Sequence, residues 1–150
     1  MPAAHAANAS PHTTLGLSGG SVGQGLPNAL GAALACPDRR VIAFQADGCG
    51  LYTLQALWSM ARESADVTVV VCANRRYAVM QAELARTCGP AAGPKALSLT
   101  DLTRPIIDWP ALAKGFGLPG CSVRTDEELA AALGRALAEP GPSLIEAVLV

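Results

Sequence analysis

The sequence predicts an α/β fold in which helices cover both faces of a mainly parallel sheet, giving three layers. Two apolar runs, 41–46 and 67–73, have the length and composition of buried strands, and a helical pattern separates them. A right-handed crossover makes two such strands parallel and brings their carboxyl ends to one edge of the sheet. The composition agrees, because 51% hydrophobic and only 4% aromatic residues fit a largely covered, aliphatic sheet.

The first part of the chain reads as a leader followed by a glycine-rich turn. Residues 1–13 are predicted to be a disordered leader or the remnant of a linker, and 14–150 one domain. Five glycines between positions 15 and 25 permit positive φ and close approach of the backbone to a ligand. Helical spacing then predicts a helix over 24–36, which Pro37 ends.

The helix after the first strand is predicted to be continuous and to pack one side against the sheet. Its apolar face comprises Leu51, Leu54, Leu57, Trp58 and Ala61. Trp58 is therefore predicted to lie in the core rather than to bind a ligand.

In the second half of the chain, capping residues and turn-forming residues predict where each element begins and ends. Residues 87–107 are rich in Gly and Pro and are predicted to form a long loop. Asp108 is a candidate N-cap for a helix over 109–116. A short strand is predicted at 121–124, and the capping box at 125–128 opens a helix to Ala138. A final apolar strand is predicted at 143–150.

The net charge bears on the class of partner, and the cysteine usage indicates a compartment. The net charge of −1 gives no support for nucleic acid or an anionic membrane surface as a partner. No apolar run approaches the length of a membrane span. Five cysteines without CxxC spacing indicate reduced thiols and predict a cytoplasmic location.

Two polar residues follow the two predicted strands directly. Asp47 comes after the first strand and Asn74 after the second, so both are expected at the edge where open α/β sheets bind ligands. A carboxylate and a carboxamide, with Gly48 beside the acid, suit a hard cation such as Mg²⁺ that carries a diphosphate. The amides that follow Asp47 open a helix, where phosphate binds well. Taken singly, an Asp and an Asn at strand ends are more often caps or turn formers.

The same residues resemble a known motif. The segments 46–49 and 73–74 are similar to the thiamine-diphosphate motif, usually Gly-Asp-Gly followed after a gap in the high twenties by Asn-Asn. The glycine turn at 19–27 and the segment 51–58 are similar to the same enzymes. Over about 14–150 the chain resembles the C-terminal, diphosphate-binding domain of the acetolactate synthase and benzoylformate decarboxylase family, and acetolactate-synthase-like large subunits most.

The resemblance implies which residues would hold thiamine diphosphate and Mg²⁺. The metal ligands would be Asp47, Asn74 and the backbone carbonyl of Arg76. The Gly20 carbonyl would accept from the aminopyrimidine, and Val22 would lie beneath the cofactor, although core packing is the alternative for this valine. The implied cofactor-binding set is Gly20, Ser21, Val22, Gly48, Cys49, Asn74, Arg76 and Tyr77. Three positions depart from the family pattern, namely Ala46 for Gly, Cys49 for Ser and Ala73 for Asn.

The resemblance also implies an activity and a partner. The reaction would be decarboxylation and carboligation of a small 2-oxo acid. The activating glutamate is expected on a separate pyrimidine-binding domain or subunit, so no catalytic residue is assigned here and a homo- or hetero-oligomer is expected. The alternatives are an aryl or branched 2-oxo acid decarboxylase, a degenerate non-catalytic domain retained for assembly, and an unrelated nucleotide-binding domain.

Overall fold

The fold is a four-stranded parallel sheet between helices. The computed structural model describes residues 9–89 and 93–149, apart from the side chain of Cys88. Residues 1–8 of the predicted leader, and Val150 of the predicted last strand, lie outside this part of the chain. The elements are α1 (Gly25–Ala35), β1 (Val41–Ala46), α2 (Asp47–Gly50), α3 (Ala56–Arg62), β2 (Val67–Ala73), α4 (Ala78–Cys88), α5 (Pro94–Ser98), α6 (Trp109–Gly115), β3 (Gly120–Val123), α7 (Asp126–Ala138) and β4 (Ser143–Val148).

The strands lie in the order β1-β2-β4-β3, and every neighbouring pair is parallel. The predicted β1–α–β2 crossover is confirmed, with Val41 opposite Val67 and Ala46 opposite Cys72. All four strands therefore end at the same edge of the sheet, where Asp47 and the residues after Ala73 lie.

Helices cover both faces of the sheet, as predicted. On one face α1, α3 and α6 bury Leu26, Leu57 and Trp109 against the odd-numbered residues of β2. On the other face α7 packs against Val70 of β2 and Ile145 of β4. This second layer does not reach β1, one of the two edge strands among the described residues, which leaves Ile42 45% and Phe44 73% exposed.

The predicted single helix after Asp47 is wrong, because α2 and α3 are separated by turns at 51–55. The amides of Tyr52 and Thr53 donate to carbonyls three residues back, as in turns rather than an α-helix. The core prediction for Trp58 is also wrong, since this side chain is 51% exposed and lies beneath the guanidinium of Arg62, 5.6 Å from the ring centroid. Leu51, Leu57 and Ala61 of the predicted apolar face nevertheless pack against the core.

The predicted loop at 87–107 is wrong in part. Helix α4 occupies 78–88, and α5 forms a further turn of helix within the predicted loop. Both predicted N-caps are confirmed, because Asp108 Oδ1 accepts from the Ala111 amide at 2.9 Å and Thr125 Oγ1 accepts from the Glu128 amide at 3.2 Å. The Glu128 side chain accepts from the Arg124 amide at 2.7 Å, one residue before the position that a capping box predicts. Within the described residues, no helix has the length and apolarity needed to cross a membrane.

Candidate functional site

Asp47 connects the carboxyl ends of β1 and β2. Its side chain is 2% exposed, and each carboxylate oxygen accepts a backbone hydrogen bond. Oδ1 accepts from the Gly48 amide at 2.8 Å, and Oδ2 accepts from the Arg75 amide at 2.7 Å. The carboxylate that follows β1 is thereby fixed to the turn that follows β2, as the parallel sheet requires.

The turn after β2 presents Asn74 and the carbonyl of Arg76 at the same edge. Asn74 Oδ1 accepts from the Arg76 amide at 3.1 Å, which orients the carboxamide. Arg75, between them, has a φ of 56°, in the left-handed region that non-glycine residues seldom adopt. The Asp47–Arg75 hydrogen bond therefore holds a strained turn in place.

A segment of the predicted loop supports this turn from outside. The Tyr77 amide donates to the Thr100 carbonyl at 2.8 Å, and the Leu102 amide donates to the Arg75 carbonyl at 2.9 Å. Between these two bonds, Arg76 and Asp101 form an isolated antiparallel bridge. The loop after α5 thus fixes the turn after β2 through backbone hydrogen bonds.

Tyr77 packs against Gly48, and the contact leaves no room for a side chain at position 48. A Cβ placed there would lie 2.4 Å from Tyr77 Cε1 and 2.7 Å from Cδ1. The φ of Gly48 is not positive, so glycine is required here by the close approach of the ring. Sequence reasoning assigned Tyr77 to cofactor binding and did not identify this packing role.

The glycine turn joins the same region through residues 52 and 53. Gly23 has a φ of 90°, and a Cβ there would lie 2.8 Å from Tyr52 Cβ. The hydroxyl of Thr53 donates to the Gly23 carbonyl. Within the turn, Gln24 Nε2 donates to the carbonyls of Ser18 and Ser21 at 2.9 and 3.2 Å. Gln24 and Thr53 are supporting residues that the motif comparison did not select.

The remaining predicted cofactor residues lie on the accessible side of this turn. Gly20, with a φ of 68°, and Ser21 are exposed, and Val22 is 56% exposed. The core-packing alternative for Val22 is therefore wrong. The side chain is available to a ligand or to another protein surface.

Two ionisable groups near Asp47 have raised pKa values. Burial raises the pKa of Tyr77, and the neighbouring groups of Tyr52, Cys49 and Asp47 add to the shift. Burial also raises the pKa of the Cys72 thiol, with a further contribution from the Asp47 carboxylate. Cys49 is half-buried and forms no disulfide, so a thiol occupies the position where the family pattern has a hydroxyl.

Comparison with known proteins identifies the family. Residues 1–147 match the model of the thiamine pyrophosphate enzyme C-terminal TPP-binding domain, thiamine pyrophosphate being thiamine diphosphate. The chain belongs to this family.

Curated relatives of the TPP-binding domain carry two kinds of name. The chain is 48% identical over 144 residues to IlvX of Mycobacterium tuberculosis, whose name presents it as a candidate acetolactate synthase large subunit. It is 37% identical over 127 residues to a benzoylformate decarboxylase of Pseudomonas aeruginosa. These matches cover 95% and 85% of the chain but only 28% and 23% of the relatives, so the chain spans about a quarter of their length.

Solved structures agree with this assignment. The chain superposes on the thiamine diphosphate-dependent 4-hydroxybenzoylformate decarboxylase of Rhodococcus jostii RHA1 with a TM-score of 0.75 and 36% identity, covering 85% of this chain and 23% of that one. The benzoylformate decarboxylase of Polynucleobacter necessarius gives a TM-score of 0.77 at 28% identity, with coverage of 88% and 24%. The TPP-binding α/β fold is therefore established.

The oxygen donors of this TPP-binding domain fit a metal ion whose coordination shell is completed by oxygens of a bound ligand. Across the described ranges, no group of three or more His, Cys, Asp or Glu side chains is placed to hold a metal ion. Asp47 and Asn74 have lone pairs beyond those used in the hydrogen bonds above, and the Arg76 carbonyl lies in the same turn. Mg²⁺ characteristically takes one or two carboxylates together with phosphate oxygens, so this sparse oxygen set suits a magnesium–diphosphate pair.

Proposed function

We propose that this chain provides the Mg²⁺ and diphosphate anchor of a thiamine diphosphate-dependent enzyme acting on a 2-oxo acid. The observation that carries the proposal is the 2.7 Å hydrogen bond from the Arg75 amide to Asp47 Oδ2, which joins the two halves of the motif at one edge of the parallel sheet. Asp47, Asn74 and the Arg76 carbonyl would be the protein ligands of Mg²⁺. Bound there, thiamine diphosphate supplies the nucleophile and electron acceptor for cleavage of a 2-oxo acid.

The protein groups would orient the cofactor and restrict its conformation. The amides after Asp47 open α2, where unpaired N–H groups favour a phosphate. Gly20, Ser21 and Val22 would contact the pyrimidine side. Cys49 would offer a thiol, a weaker donor than a hydroxyl, so one phosphate contact is expected to be weak.

The catalytic acid–base group is assigned to a pyrimidine-binding domain, on the same polypeptide or on another chain. Val22 and Tyr52 are 56% and 61% exposed beside the candidate site, which leaves an apolar surface for such a domain to cover. The assembly would be a homo- or hetero-oligomer, in a reducing cytoplasm. On this proposal, the chain alone binds the cofactor weakly and shows no turnover.

The names of the relatives favour two substrates. Acetolactate synthesis from pyruvate is the first candidate, because of the 48% identity to IlvX. Decarboxylation of an aryl 2-oxo acid is the second, because benzoylformate decarboxylases occur among the relatives and the solved structures. Val79 and Met80, 82% and 56% exposed after Tyr77, would face the substrate in either case.

Calorimetry tests the anchor directly. Thiamine diphosphate is titrated into the 150-residue chain with Mg²⁺ or with EDTA, for the parent and for Asp47→Asn. The matched control is Asp126→Asn, an exposed aspartate in the first turn of α7. Mg²⁺-dependent binding that Asp47→Asn abolishes and Asp126→Asn preserves is expected.

A chimera tests the assembled site. The corresponding segment of the Pseudomonas aeruginosa benzoylformate decarboxylase is replaced by this chain, and cofactor binding and release of carbon dioxide from pyruvate and benzoylformate are measured. If neither the chain nor the chimera binds thiamine diphosphate, the proposed function is wrong. If the chimera binds the cofactor but turns over neither substrate, the non-catalytic alternative is favoured.

A further inference from the structure

Arg75 differs from the other half-buried arginine that the structure describes in detail. Arg40 donates to the Asp66 carboxylate at 2.9–3.0 Å and to the Ala136 carbonyl at 2.6 Å, so its guanidinium is well paired. The side chain of Arg75 is also half-buried, but its Nε–H is buried without an acceptor in the described part of the chain. No carboxylate within that part forms an ion pair with it.

A buried guanidinium N–H without an acceptor is unfavourable, because its hydration is lost and not replaced. The backbone of Arg75 is also strained, with a φ of 56°. Glycine would adopt that conformation without strain. Two unfavourable features at one residue call for a compensating interaction of the arginine side chain.

The position of the residue indicates what the interaction is. The Arg75 amide is 2.7 Å from Asp47 Oδ2, and its carbonyl accepts from the Leu102 amide at 2.9 Å, so the residue is fixed between the candidate metal ligands. A divalent cation held at Asp47 and Asn74 would bring a bound oxyanion to the turn that contains Arg75. Guanidinium groups pair with phosphate and carboxylate oxygens through two parallel N–H donors.

We propose that Arg75 is an anion-binding residue of the candidate site, whose guanidinium pairs with a phosphate or carboxylate oxygen of the bound ligand. The inference rests on the proposed function and extends it, because the motif itself assigns no role to this side chain. The oxyanion belongs either to the diphosphate of the cofactor or to the carboxylate of the 2-oxo acid. Both sources offer the same chemistry to the guanidinium.

The experiment uses three variants, Arg75→Ala, Arg75→Lys and Arg75→Gly. Glycine removes the side chain and also relieves the positive φ, so Arg75→Gly is expected to melt at a higher temperature than Arg75→Ala. Arg124→Ala is the control for loss of one positive charge, because Arg124 is exposed after β3, the strand furthest from β1 in the sheet. Melting temperatures establish that each variant is folded.

Two ligands distinguish the source of the oxyanion. Inorganic pyrophosphate with Mg²⁺ probes the phosphate, and oxamate added to protein preloaded with Mg²⁺ and thiamine diphosphate probes the 2-oxo acid carboxylate. Loss of one charge-assisted hydrogen bond is expected to weaken binding by about tenfold or more. The lysine variant should be intermediate, because it keeps the charge without the paired donors.

The outcomes separate the two proposals. Weaker pyrophosphate binding by both Arg75→Gly and Arg75→Ala, with Arg124→Ala unchanged, supports pairing with the diphosphate. Weaker binding of oxamate alone supports pairing with the substrate carboxylate. Unchanged affinity for both anions in a parent that binds thiamine diphosphate overturns the role of Arg75 and leaves the proposed function intact. If neither the parent chain nor the chimera binds any of these anions, both proposals are wrong.

Discussion

Replacing Gly48 by alanine tests the contact that sets the position of Tyr77. The new methyl carbon would lie 2.4 Å from Cε1 and 2.7 Å from Cδ1 of the ring. Because carbon atoms pack at roughly 3.5–4.0 Å, the ring must move by about 1 Å or more. The movement is opposed by the 2.8 Å hydrogen bond between the Tyr77 amide and the Thr100 carbonyl.

The expected cost is that of overpacking, about 1–3 kcal/mol in the free energy of unfolding. For a chain of this size, that corresponds to a fall of roughly 2–12 °C in melting temperature. Gly31→Ala is the matched control, because a Cβ at Gly31 in α1 would have no atom within 4 Å apart from its chain neighbours and the backbone of its own helix. There the same substitution should stabilise by about 0.5–1 kcal/mol, since alanine is the better helix former.

A double-mutant cycle with Tyr77→Ala assigns the effect to the ring. Removing the ring makes room for the methyl group, so Gly48→Ala should be neutral or slightly stabilising in the Tyr77→Ala background. Thermal unfolding followed by circular dichroism gives the four melting temperatures. If Gly48→Ala melts at or above the temperature of the parent while Tyr77 is present, the packing explanation for this glycine fails.

Two further predictions concern residues outside the motif. Trp58→Ala should lower the free energy of unfolding by only about 1 kcal/mol, the value of an exposed cation–π contact, whereas Leu57→Ala should lower it by about 2–5 kcal/mol. Urea titration distinguishes the two variants, and a large loss of stability in Trp58→Ala would contradict the exposed position of this side chain. Because the pKa of Cys72 is raised above its ordinary value of 9.0, iodoacetamide should alkylate it more slowly than the exposed Cys36 at pH 8. The stability due to the neutral Cys72 thiol is present below pH 9.0 and is lost as the pH rises through the raised pKa. If Cys72 and Cys36 are alkylated at equal rates with the same pH profile, the raised pKa of Cys72 is refuted.

The elements that could be predicted from the sequence are those that bury a regular series of apolar side chains. The strands 41–46 and 67–73 are unambiguous because aliphatic runs of that length have few other uses in a small domain. Helix α4 was not predicted, and it contains no residue classed as buried among those described, so it lacks the apolar stripe that periodicity detects. Helix α5 is one turn long and likewise buries none of its side chains.

The separation of α2 from α3 was not predictable for a different reason. The turn between them is fixed by a tertiary contact, in which the Thr53 hydroxyl donates to the Gly23 carbonyl thirty residues earlier. Local spacing still indicates one continuous helix across this turn. The candidate site was more accessible to sequence reasoning, because Asp47 and Asn74 follow strands whose parallel pairing brings their ends together.

The close contacts around α2 indicate how the Asp47 carboxylate is held before any ligand binds. Neither Gly48 nor Gly50 has a positive φ, yet a Cβ at Gly48 would meet the Tyr77 ring, and one at Gly50 would lie 2.8 Å from Trp109 Cη2. The short helix that begins with Asp47 is therefore packed against two aromatic rings from distant parts of the chain. Packing of this kind, together with two backbone hydrogen bonds to the carboxylate, reduces the ordering that binding would otherwise require. The position of the candidate metal ligand thus depends on Tyr77 and Trp109 as well as on the motif residues.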